Sequence, residues 1–200
     1  VIRAGHTIEG RDHPSYYPYT VLNHAFGGQF TARLNMNLRQ DKGYSYGYNS
    51  SIGWSNQSSI LVAGGSVQTA VTKEAVIETL SEFRGIHRER PINADEFIAA
   101  KSALLRNFPS RFQTPQQILD VICQLVTFDL PVDYFQQYSS KIEAVTLPEV
   151  HKLAESSIRP QNLTILVVGD KNSFAKDLAQ IDCAQEEINF EGKVTGNSEK

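Results

Sequence analysis

The chain reads as an α+β fold, a mainly antiparallel sheet with helices packed on one face. Three observations point there. Two strand-like runs flank a short polar turn, Ser55-Asn56-Gln57, as in a hairpin. From Thr69 the period changes from two to about 3.6, and helical patterns follow one another as far as Ile158. A β-branched run, Leu163 to Val168, then returns to strand character. Strands and helices are segregated rather than strictly alternated, which separates α+β from a parallel βαβ design.

In chain order, Val1 to Gly10 shows only a few alternating residues. Asp12-His13-Pro14 is a helix-start signal, and Tyr17, Val21, Leu22, Ala25 and Phe26 form the apolar stripe of the helix it opens. Gly27-Gly28 makes a turn. Thr31 to Gln40 is a short amphipathic helix with Leu34 and Leu38 on one face, closed by Asp41-Lys42-Gly43, where Gly43 suits a left-handed cap. Strands are expected from Tyr44 to Trp54 and from Ser58 to Gln68. Strict alternation would put Tyr44, Tyr46 and Tyr48 on one side of the first. Gly64-Gly65 in the second implies a bulge or a close backbone approach.

Val76, Leu80, Phe83 and His87 define a helix that Pro91 stops. Asn93-x-x-Glu96 is a capping box for the next, apolar at Phe97, Ala100, Leu104 and Phe108. Thr114-Pro115 caps another, with Ile118, Val121, Ile122 and Leu125 on its apolar face, and Cys123 is expected there as a buried free thiol. Asp133 opens a shorter helix. Thr146-x-x-Glu149 caps one carrying Val150, Leu153, Ala154 and Ile158. The run from Leu163 to Val168 reads as a strand buried on both faces. A short helix is expected over Ser173 to Gln180.

The sequence has 200 residues, 40% of them hydrophobic, with ten Phe and eight Tyr. That suits one domain, placed at 1–185, followed by a disordered tail over 186–200. A net charge of −3 gives no sign of a nucleic-acid partner, and no window is long and apolar enough to span a bilayer. The chain opens on Val1 rather than Met, as expected of a piece of a longer protein. Compartment is left open, and a disulfide between Cys123 and Cys183 is disfavoured.

Several chemistries are excluded by what the motifs lack. There is no Gly-x-Ser-x-Gly elbow, no phosphate-binding glycine loop and no Cys-x-x-Cys pair. His6, His13, His24, His87 and His151 are scattered, and none has a second His within five residues. No metal ligand set is therefore assigned to this chain.

One block is more specific. Ala32-Arg33-Leu34 is followed by Leu38-Arg39-Gln40-Asp41-Lys42-Gly43-Tyr44-Ser45-Tyr46. It resembles the signature in the second half of pitrilysin/insulinase-type zinc metallopeptidases, a family that includes mitochondrial processing peptidase. Gln40 stands where an acidic residue is common and Tyr44 where a small aliphatic one is, but the Arg-to-Tyr spacing is intact. The resemblance implies a metal-free domain whose Arg39 and Tyr46 hold the backbone of a peptide substrate and stabilise its oxyanion. Zinc, in the complete enzyme, would be carried by a homologous domain in the same chain or in a partner subunit, and this chain alone would be inactive. Gly27 and Gly28 stand where the processing peptidase's non-metal subunit has a longer substrate-handling glycine loop. Arg33 adds positive charge nearby. The ordinary reading stands beside these: Arg39 favoured at a helix C-terminus and paired with Asp41, Arg33 in a surface salt bridge. The same resemblance covers a different role, a scaffold like the core subunits of the cytochrome bc1 complex.

Overall fold

The computed structural model describes residues 1–195. Four strands, β1 (Ile2–Glu9), β2 (Ser45–Gly53), β3 (Ser58–Val67) and β4 (Thr164–Val167), form one antiparallel sheet in the order β2-β3-β1-β4. Helices α1 (Tyr16–Phe26), α2 (Arg33–Asn35), α3 (Thr72–Arg84), α4 (Ala94–Asn107), α5 (Pro115–Thr127), α6 (Tyr138–Ala144), α7 (Leu147–Ser157) and α8 (Ala175–Leu178) complete the fold. It is α+β, and one face of the sheet takes the helices. Ile2, Ala4, His6 and Ile8 of β1 are buried in register with Leu61 and Ala63 of β3 and with Tyr48 and Ser50 of β2. The alternate residues, Arg3, Thr7, Asn49, Ser51 and Ile60, face solvent.

Local signals set several helix starts. Asn93 with Glu96, Thr114 with Gln117 and Thr146 with Glu149 all close reciprocal capping boxes, satisfying amides that have no partner inside the helix. α1 begins at Tyr16, two residues after Pro14. His13 takes the amides of Ser15, on Nδ1, and Tyr16, on its carbonyl, so the chain turns once before the helix starts. Under the sheet, Phe26 meets Phe83 edge-on at 5.0 Å, amid Leu34, Leu38, Ile86, Ile142 and Val150.

Two expectations need correction. β4 is a four-residue strand at the end of the sheet rather than an interior strand, with Leu166 exposed on its open face. β1, almost silent in sequence, lies between β3 and β4 instead. On α5 only Val121 is buried; Ile118, Leu119, Ile122 and Cys123 are exposed because no element among the described residues covers that side of the helix. Cys183 is likewise free and exposed. Of the segment 186–200, residues 196–200 lie outside the described part, and within it Ile188 and Val194 form an isolated antiparallel bridge.

Candidate functional site

The stretch from Gly27 to Tyr48 is built in three pieces. The first is the glycine turn. Both Gly27 and Gly28 donate their amides to the Asn23 carbonyl, at 2.9 and 2.8 Å. The Gly27 carbonyl then accepts from the Ser50 amide of β2 at 2.9 Å. A Cβ at Gly27 would lie 2.5 Å from that same nitrogen, so only glycine permits the approach. Gly28 is exposed beside it.

The second piece is the helix. α2 makes one turn and widens into a π-helical turn, Met36–Asp41, which Gly43 ends at φ +65°. Lys42 donates to the Asn37 carbonyl at 3.0 Å, and Tyr44 to the Leu38 carbonyl at 2.8 Å. Leu34 and Leu38 are wholly buried, as their shared face predicts. On the outside, Asn37 Nδ2 donates to Glu82 Oε1 at 2.7 Å and to Glu78 Oε2 at 3.0 Å, pinning the turn to α3. Local π-helical turns recur at functional sites.

Arg39 lies on this turn, half-buried, its guanidinium 4.3 Å from the centre of the Phe30 ring. It forms no ion pair with Asp41. Arg33 is occupied differently. Its Nε donates to Glu96 Oε1 at 2.8 Å, Nη2 also reaches Glu96, and the remaining donors go to the carbonyls of Arg90 and Pro91. Arg33 thus ties α2 to the capping box of α4 in a salt bridge that is largely buried rather than on the surface as expected.

The third piece is an interruption in β2. Ser45 pairs with Val67 and Tyr48 with Gly65, so Tyr46 and Gly47 together oppose Ser66. The bulge falls in β2, while the close approach falls at Gly65, where a Cβ would sit 2.4 Å from the Gly47 carbonyl. Ser45 Oγ lies 2.8 Å from the Gly47 carbonyl and 2.7 Å from that of Ser66, and accepts the Gly47 amide at 3.1 Å. The extra residue breaks the tyrosine alternation. Tyr48 is wholly buried, its hydroxyl 2.7 Å from Thr79 Oγ1, and burial pushes its phenol up to about 12. Tyr46 turns out to solvent, 99% exposed. The three tyrosines therefore do not share one side.

Asn35 escaped the sequence reading. It is buried, its Nδ2 donating to the Phe30 carbonyl at 2.7 Å and its Oδ1 accepting the Tyr48 amide at 3.0 Å. An Asn between Leu34 and Met36, with another Asn at 37, carries no sequence signal for such a bridge.

An open groove of about 750 Å³ borders the π-helical turn on the α3 side, lined by Asn37, Lys42, Glu78, Glu82 and Arg90 among others. Arg39 and Tyr46 are not in its lining. Among its charges, Lys42 pairs with Glu78 at 3.1 Å and Arg90 with Glu82 at 3.0 Å, while Asp41 lines it without an ion pair among the described residues. His6, His87 and His151 each face a different backbone carbonyl, and among the described residues no three His, Cys, Asp or Glu side chains gather as a metal-binding group. The donors present do not fit a zinc centre.

The sequence profile of the peptidase M16 inactive domain matches residues 5–104, which include Gly27, Gly28, Arg33, Arg39 and Tyr46. The chain belongs to the peptidase M16 inactive-domain family. Solved structures share its fold. A peptidase M16 inactive domain from Pseudomonas fluorescens superposes with a TM-score of 0.70 at 18% identity, covering 82% of this chain and 39% of that one. A protease from Helicobacter pylori gives 0.63 at 15% identity, covering 82% and 40%. A chain of complex III2 from Candida albicans gives 0.69 at 17% identity, covering 82% and 41%. This M16 domain thus spans about two fifths of the length of those three chains. No match was found among curated protein sequences.

Proposed function

We propose that this M16 inactive domain handles the peptide substrate of a zinc-dependent metalloendopeptidase and forms one wall of its cleavage chamber. The observation that carries the reading is the treatment of Arg39 and Tyr46. A π-helical turn holds the first and a bulge turns the second wholly into solvent, on consecutive elements joined by the Leu38–Tyr44 hydrogen bond. Among the described residues none hydrogen-bonds the Tyr46 hydroxyl, and an aromatic side chain this exposed is available for binding.

Peptide hydrolysis develops negative charge on the carbonyl oxygen. A guanidinium supplies permanent charge with a planar set of donors, and a phenol supplies one directed O–H. Donors held in place before the reaction cost no reorganisation when that charge appears. In this reading Arg39 and Tyr46 orient the scissile backbone and stabilise the oxyanion, and Gly28 lets the chain pass close to the turn. Zinc, its ligands and the general base belong to a homologous domain, in the same chain or in a partner subunit.

The test is Tyr46→Phe in the full-length chain assayed with any partner subunit. Turnover of an extended peptide is expected to fall about a hundredfold or more, with the melting temperature unchanged. Full turnover in the variant would remove the Arg-Tyr pair from the chemistry. The likeness to a chain of complex III2 favours a second reading, a non-catalytic scaffold. A full-length protein that cleaves no peptide with its partners present would decide for it.

A further inference from the structure

We propose that Asn35 is a positioning residue that holds Tyr46 and Arg39 in their working places together. The inference rests on the functional reading above and deepens it.

One side-chain amide bridges the carriers of both groups. Its Oδ1 takes the amide of Tyr48, the first residue back in register after the bulge. Tyr46 is thereby bracketed, with the Ser45–Val67 pair before it and the Asn35–Tyr48 bond after it. The Nδ2 donates to the carbonyl of Phe30, whose ring underlies the Arg39 guanidinium. The orientation of the amide follows from its partners. A backbone N–H must face the oxygen, and a backbone C=O must face the nitrogen. Asn35 is 3% exposed; its bond to the Tyr48 amide is buried away from competing water, and its bond to the Phe30 carbonyl is partly so. Among natural side chains of this size only asparagine offers one acceptor and a donor at these two points. Asp keeps the acceptor alone, and Leu keeps neither.

A group that acts through another should lose its effect when the other is removed. In the full-length enzyme with its partner, Asn35→Leu is expected to lower kcat by about tenfold or more, since small misplacements at a catalytic site are costly. The Tyr48 amide should exchange with solvent at least about tenfold faster once its partner is gone. On a Tyr46→Phe background the kcat loss from Asn35→Leu should shrink markedly. An additive loss, or an unchanged kcat beside a damaging Tyr46→Phe, overturns the positioning role and leaves the functional reading standing. A harmless Tyr46→Phe overturns both. If Asn35→Leu does not fold, Asn35→Asp still holds the Tyr48 amide, and its loss should pass through Phe30. That loss is then expected to shrink on an Arg39→Lys background, and additivity there overturns the proposal equally.

Discussion

Two amphipathic stretches of this chain are finished in opposite ways. From Gly27 to Tyr48, Leu34, Leu38 and Tyr48 are wholly buried, and Asn35, Asn37, Ser45 and Arg33 bind neighbouring elements. Helix α5 has a full capping box and a clear apolar stripe, yet leaves Ile118, Leu119, Ile122 and Val126 exposed. The first stretch lies within the span matched by the M16 profile, and α5 lies beyond it. An amphipathic pattern shows that a face suits cover; whether the same domain supplies the cover depends on the fold.

That contrast can be broken by substitution. Leu34→Ala removes a wholly buried side chain and is expected to cost about 2–5 kcal/mol in urea unfolding. Gly27→Ala drives a methyl group against the Ser50 nitrogen, and the resulting shift of the turn from β2 is expected to cost about 1–3 kcal/mol. Ile122→Ser, on a side chain 48% exposed, should change stability by no more than roughly 0.5 kcal/mol. If Ile122→Ser cost as much as Leu34→Ala, α5 would be as well packed as the first stretch and the contrast would disappear.

The parts legible in the sequence were those decided locally. Capping boxes at Asn93, Thr114 and Thr146, the left-handed Gly43 and the shared face of Leu34 and Leu38 each depend on a few neighbouring residues. What stayed hidden depends on distant partners. A strand near Val1 is implied by the family resemblance alone, Ala4, Gly5 and His6 being weak strand formers, and its interior place comes from pairing with β3 and β4. The bulge at Tyr46 and Gly47 requires a register set by β3, so simple alternation misplaced the tyrosines. Arg39 and Tyr46 are proposed from a motif spacing rather than from a property of either residue. Asn35 had no motif to reveal it.

The way β2 is sealed also bears on what the domain avoids. As an outer strand it would offer free amides to any extended chain, the usual route to unwanted association between copies. Two of those amides are already taken, Tyr48 by the side chain of Asn35 and Ser50 by the carbonyl of Gly27. The bulge beside them bends the strand away from a straight template. The groups that steady the Arg39–Tyr46 region therefore also act as a guard against self-templated pairing along this side of the sheet.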